Sequence, residues 1–220
     1  MKKFIVIILI AIIGCAIYGQ VGKSMFKSNG FEKIETADDA YEQKCGIKFA
    51  FGENAVQIDG FLFPQDEVEQ GSEYILVVKP YNDYHQYGNM HMQKVKVTNV
   101  IKGNESVLNT DISISVSYGF VISDDVESFN SLSNIMDYDY EYLVFLNPSK
   151  LNPYTKEQVY YVFNDISLMC FRIADSESDL LYEDGMCFNQ MKGTEYFCYS
   201  KETLEKIYEY KHQMIKKYVK

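Results

Sequence analysis

The chain has 220 residues, 47% hydrophobic and 24% charged, an ordinary globular balance that excludes disorder as the default. Its 31 acidic side chains against 21 basic ones leave a net charge of −10. Such a surface repels phosphate backbones and anionic headgroups, so nucleic acid is excluded as a partner and any membrane attachment must be hydrophobic. Tyr (19) and Phe (14) supply all the aromatic content, which leans the chain toward strands.

The first three residues, Met1-Lys2-Lys3, are a short positive segment, and residues 4–14 (FIVIILIAIIG) are an unbroken apolar run of signal-peptide length. The run ends at Cys15, preceded by Ile12-Ile13-Gly14. That string resembles the lipobox of bacterial lipoproteins: a branched aliphatic, a tolerant position, a small residue, then cysteine. The resemblance implies that Cys15 carries diacylglycerol and becomes the new N-terminus, the acyl chains holding the protein by ~0.8 kcal/mol per buried methylene. Apolar residues continue past it as Ala16-Ile17-Tyr18, so an uncleaved anchor helix over 4–18 is a second reading. It would reach roughly 22 Å of a ~30 Å hydrocarbon core. Plain cleaved secretion is a third. All three place the remaining ~200 residues, one domain of medium size or a domain with appendages, outside the cytoplasm.

Residues 20–45 are polar. The stretch 19–30 reads as a tether, and Thr36 is the predicted N-cap of a short helix with Asp38 and Asp39 at its positive end. From about residue 71 the apolar period becomes two. Residues 74–79 (YILVVK) predict a buried strand, with a turn at Pro80-Tyr81-Asn82-Asp83. Over 91–100, Gln93, Val95 and Val97 share one face and Lys94, Lys96 and Thr98 the other, before Lys102-Gly103-Asn104 closes the strand. Over 111–118, Ile112, Ile114, Val116 and Tyr118 face inward and Ser113, Ser115 and Ser117 face water. Residues 141–146 (EYLVFL), 160–163 and 168–173 bring the total to about six strands with no helical pattern between them. Residues 187–198 read as a hairpin turning at Lys192-Gly193. It pairs Met191 with Thr194, Phe188 with Phe197 and Cys187 with Cys198, and the last pair sits at disulfide range. A second bond, Cys45–Cys170, would complete an even set in an extracytoplasmic protein. Ser200 then caps a C-terminal helix whose Leu204, Ile207, Tyr208, Met214, Ile215 and Tyr218 form one apolar face, expected to cover one side of the β domain.

The run YILVVKP, then V-x-V-x-x-V-x-K-G at Val95, Val97, Val100, Lys102 and Gly103, then an alternating strand and EYLVFL, resembles the OB-like barrel of surface lipoproteins and of netrin-like and metalloproteinase-inhibitor-like modules. The resemblance covers residues 74–163 and implies a fold. The inhibitors act through the free amine of a disulfide-bonded N-terminal cysteine, whereas Cys15 would be acylated, so their activity is not carried over. The expected fold class is mainly β with flanking helices (α+β): an antiparallel OB-like β-barrel plus a C-terminal helix. The expected layout is a leader or anchor over 1–21, a tether with a short helix over 22–70, the barrel over 71–175, and a hairpin with the helix over 176–220.

No chemical motif stands out. His85, His91 and His212 have no metal-ligand spacing. Asp137, Asp139 and Glu141 alternate with Tyr138, Tyr140 and Tyr142, but lack the glycine and distant glutamate of a calcium loop; in an extended chain these acids share a solvent face. No catalytic residue, cofactor or metal is expected. The reading is a membrane-anchored extracytoplasmic binding or interaction module without catalysis, held by its N-terminal lipid or apolar helix, its ligand an unknown protein or glycan. A structural component of an envelope complex and an exported hydrolase are the rivals.

The anchor is directly testable. Cys15→Ala is expected to abolish fatty-acid labelling while leaving the soluble part folded. Label retained in the variant, or absent from the wild type, rejects lipidation in favour of a spanning helix.

Overall fold

The computed structural model describes residues 34–42, 47–49, 62–87, 90–116, 127–129, 133–149, 158–165, 167–174, 179–181, 186–198 and 200–219. Cys15 and the apolar run lie outside the described residues, and among these no helix is long and apolar enough to cross a membrane. Helix α1 (Ala37–Glu42) starts where Thr36 predicts. The Thr36 hydroxyl accepts from the Asp39 amide and the Asp39 carboxylate accepts from the Thr36 amide, both at 2.9 Å. Two orphan donors are thereby satisfied reciprocally. After β1 (Ile47–Phe49) and helix α2 (Gln65–Gly71) come β2 (Tyr74–Tyr87), β3 (Met90–Lys102), β4 (Asp111–Val116), β5 (Glu127–Phe129), β6 (Glu141–Pro148), β7 (Val159–Val162), β8 (Cys170–Ile173), β9 (Asp179–Leu181), β10 (Tyr196–Cys198) and helix α3 (Lys201–Tyr218).

The strands β2-β3-β4-β7-β6 are hydrogen-bonded in that order and β6 returns to β2, which closes a five-stranded barrel. β4 and β7 run parallel, and the other four pairs are antiparallel. The β-barrel with a C-terminal helix expected from the sequence is present, and the one parallel pair makes the ring mixed where an antiparallel one was expected. The reason is topological, since strand directions cannot alternate around a closed ring with an odd number of members. Beyond the ring, β8 extends the edge of β6 that β7 occupies, taking Glu141–Val144 while β7 takes Leu146–Pro148. The remaining strands form two small parallel pairs, β1 with β5 and β9 with β10.

Local chemistry explains two departures from a plain ladder. Pro80 does not end β2. It pairs with Val95, the next partners are Tyr84 and Gln93, and the residues between are accommodated by a register shift. A proline cannot donate to the ladder, so a strand absorbs it at such a bulge. At the other end, Lys102 turns back and its Nζ donates to the Glu69 and Ser72 carbonyls at 2.5 and 2.7 Å, closing the C-terminal end of α2. Gly103 follows with φ +115°, and the Tyr74 ring lies 2.4 Å from where a Cβ would sit. Both the conformation and the space exclude a side chain there.

The inward positions Val95, Val97, Ile112 and Ile114 lie in the core as the alternation predicts, and Lys94 and Lys96 are exposed. Ser115 corrects the expected register of faces: it is fully buried, and its hydroxyl has no hydrogen-bond partner among the described residues. This part of β4 is covered on both faces, a condition that alternation cannot reveal because it depends on what packs outside the strand. Strand β6 is buried on both faces over Tyr142–Leu146 for the same reason. Phe145 meets Tyr218 of α3 edge-on at 5.3 Å, and Phe171 of β8 meets Tyr210 at 5.8 Å.

Helix α3 is capped by Ser200, whose side chain accepts from the Thr203 amide, and it buries Leu204, Ile207, Tyr208, Tyr210 and Met214. It also buries Lys211. The Lys211 ammonium reaches the Glu195 carboxylate at 2.5 Å. The same carboxylate lies 3.6 Å from Arg172 Nε and accepts from the Arg172 amide at 2.7 Å. All three side chains are nearly inaccessible. The Arg172 guanidinium stacks 4.6 Å over Tyr140 and donates to the Gly193 carbonyl at 3.0 Å. One buried carboxylate thus joins β8, the segment before β10, and α3.

Two stability predictions result. Glu195→Gln leaves two buried cations without their counter-charge and is expected to cost about 3–5 kcal/mol, whereas Lys211→Met leaves a one-to-one pair and is expected to cost less. Chemical denaturation of the two variants checks the ranking, and the reverse order would remove Glu195 from its central place. Ser115→Asp is expected to lower the melting temperature as Ile114→Asp does, each burying a carboxylate at a cost of several kcal/mol, about 3 or more. An unchanged melting temperature for Ser115→Asp would return that face of β4 to water.

Candidate functional site

A pocket of about 140 Å³ opens where three segments meet. Helix α1 supplies Ala37 and Tyr41, the segment before β6 supplies Met136 to Asp139, and a tight turn supplies Lys192 and Gly193. Each wall is held from behind. Tyr41 stacks on Phe188 at 4.8 Å and donates to the Asn134 carboxamide at 2.9 Å. Burial, then the nearby Asp137 charge, drives its phenol far above the usual range, so it stays neutral. Asn134 is itself buried. Its Nδ2 donates to the Met191 and Thr194 carbonyls at 2.7 and 3.1 Å, fixing the turn that carries Lys192. Gly193 has φ +85°, with nothing within 4 Å of a built Cβ. Its conformation, not its surroundings, requires glycine. The floor is fixed through Gln93, whose Nε2 donates to the Met136 carbonyl at 2.8 Å.

At the rim, Lys192 pairs with Asp38 at 2.7 Å. Asn82 Nδ2 donates to the same carboxylate at 2.9 Å and the Tyr138 hydroxyl at 3.3 Å. The Lys192 bond, more than any other cause, holds the Asp38 carboxyl below its ordinary range and raises the Lys192 ammonium above its own. The ammonium also lies 6.0 Å from the centre of the Tyr41 ring. Asp137 and Asp139 sit in the lining with no salt bridge among the described residues. One Asp137 oxygen accepts from the Asp139 amide at 2.9 Å.

The acidic segment is not the extended strand read from alternation. Tyr140 N donates to the Asp137 carbonyl at 3.2 Å, so residues 137–140 form a turn. The Asp137 amide donates to the Tyr142 hydroxyl at 2.8 Å. Asp137 and Asp139 are thereby placed in the pocket lining instead of along a strand face. The histidines lie outside that lining. His85 pairs with Asp83 at 2.8 Å on partly exposed β2. His91 is buried against the Tyr84 hydroxyl through Nδ1. His212 is exposed on α3 beside the Tyr208 ring. Among the described residues no three His, Cys, Asp or Glu side chains are grouped to hold a metal ion.

No disulfide joins Cys187 to Cys198, so the expected bond is corrected. The turn itself forms as read, with Thr194 N donating to the Met191 carbonyl at 3.1 Å. The hairpin does not continue. Cys187 caps a 3₁₀ helix over Phe188–Met191, its amide donating to Gln190 Oε1 at 2.7 Å. Helical spacing then sends Phe188 and Met191 together into the core. Cys198 instead pairs in parallel with Leu181 on β9. Burial, followed by the Glu195 charge, pushes the Cys170 thiol up to about 12. The expected Cys45–Cys170 bond falls on Cys45, which lies outside the described residues.

The residues that build the pocket from behind, Asn134, Glu195 and Lys211, carry no sequence signal of their own. Arg172 does. It is the only arginine, set in the apolar run 168–173, and a cation so placed calls for a buried carboxylate. No family model matches this sequence, and no curated protein matches it either.

Proposed function

We propose that this protein is a membrane-anchored extracytoplasmic binding module that holds its ligand in this pocket without transforming it. The pocket carries the reading. Its walls are preformed by buried hydrogen bonds from Asn134 and Gln93, and Tyr138, Asp137 and Asp139 line its solvent-facing side. Rigid aromatic walls with a few polar groups suit recognition, because little side-chain freedom is lost on binding. Among the described residues His91 is engaged with Tyr84 and Cys170 lies in the core, and no histidine or cysteine is in the pocket lining. The anchor follows from the apolar run and Cys15.

The test is amide NMR of the full chain with disaccharide muropeptides as the probe. Saturable shifts at Ala37, Tyr138 and Gly193, lost in Tyr138→Ala, are the expected result. Shifts confined to another surface would overturn the pocket as the site. New product resonances would move the protein to the hydrolases.

A further inference from the structure

The pocket is short of positive charge. Lys192, the one cation in its lining, gives its ion pair to Asp38, which is not among the lining residues. Asp137 and Asp139 are left without a salt bridge among the described residues. Beside them stand two phenol rings, Tyr41 and Tyr138, and an aromatic face attracts a cation within about 6 Å. The grouping does not suit a metal ion, and the combination of ring faces with carboxylates is the chemistry that recognises an organic ammonium.

Lys192 already illustrates the preference. Its ammonium hydrogen-bonds Asp38 and lies 6.0 Å from the Tyr41 centroid, at the edge of the same cavity. Its side chain is 54% exposed, so it can leave without uncovering a core. The turn beneath does not depend on it: Asn134 and Arg172 hold the backbone at Met191, Gly193 and Thr194.

We infer that the pocket binds a primary organic ammonium group of an external ligand, between Tyr41, Tyr138, Asp137 and Asp139, and that Lys192 is its tethered internal competitor. Two sources carry that group: the side chain of a lysine, and a de-N-acetylated amino sugar. The inference rests on the reading of this pocket as a ligand site, and it names the chemistry of the ligand.

The test titrates the full chain at neutral pH with n-butylamine and glucosamine, against the neutral n-butanol and N-acetylglucosamine, following the amides of Ala37 and Gly193. Lys192→Met is expected to bind an amine about tenfold more tightly than the wild type, the scale of one charge-assisted hydrogen bond. Added salt should weaken that binding. Asp139→Asn or Asp137→Asn in the Lys192→Met background should lose most of the gain; the asparagine at 137 keeps an acceptor for the Asp139 amide. Tighter n-butylamine assigns the lysine source, and tighter glucosamine the amino sugar. Neutral probes binding as tightly as the amines, or Lys192→Met binding amines no better than wild type, would overturn the inference. In the first of these cases the pocket remains a binding site and only its ligand class falls. If neither these probes nor muropeptides shift the pocket amides, both readings fall together.

Discussion

One carboxylate, Glu195, holds the architecture at its most demanding point. It is buried between a guanidinium and an ammonium from different elements, and it also accepts from the backbone of β8. A lone ion in such a place would be prohibitively costly, and a carboxylate shared by two cations is tolerated only when the geometry is fixed. The arrangement therefore acts less as a source of stability than as a constraint. The position of α3 across β8, the path of the chain into β10, and the direction of Arg172 must all be satisfied at once.

That constraint reaches the pocket through Arg172. The same guanidinium that meets Glu195 donates to the Gly193 carbonyl, and Asn134 grips the other side of the same turn. The backbone of Glu195 is tied in as well, its carbonyl accepting from the Asn134 amide at 2.9 Å. The turn that presents Lys192 to solvent is thus supported by a buried polar network, while the Lys192 side chain itself is 54% exposed. Rigid support beneath an adjustable surface group is the arrangement that a binding site needs.

Legibility in the sequence followed the range of the interaction. Thr36, Ser200 and Lys102-Gly103 were readable because caps and chain reversals are settled within a few residues. The inward set Gln93, Val95, Val97, Ile112 and Ile114 was readable because a strand with a core face must alternate. Reading failed where a second partner decides. Ser115 is buried by what packs outside β4. Pro80 becomes a bulge because β3 continues to pair with β2 on both sides of it. Cys187 turns into a 3₁₀ helix because Gln190 reaches back to its amide. Of the pocket, Gly193 and the acids were visible as residues but not as neighbours, since they come together from helix α1, the segment before β6 and the turn at Lys192.

The sequence by itself determined the class of fold: strand periods, the closing Lys-Gly, and an amphipathic C-terminal helix leave little besides a β domain with a helix laid on it. The expectation of export also rests on sequence alone, on the apolar run ending at Cys15. Tertiary structure alone decided the mixed direction of the barrel, the separation of Cys187 from Cys198, and the assembly of Tyr41, Asp137, Asp139 and Lys192 around one cavity. The physical reason is that periodicity and capping are governed by bonds between near neighbours in the chain. Ring closure, two-sided burial and charge compensation depend instead on contacts between residues many tens of positions apart.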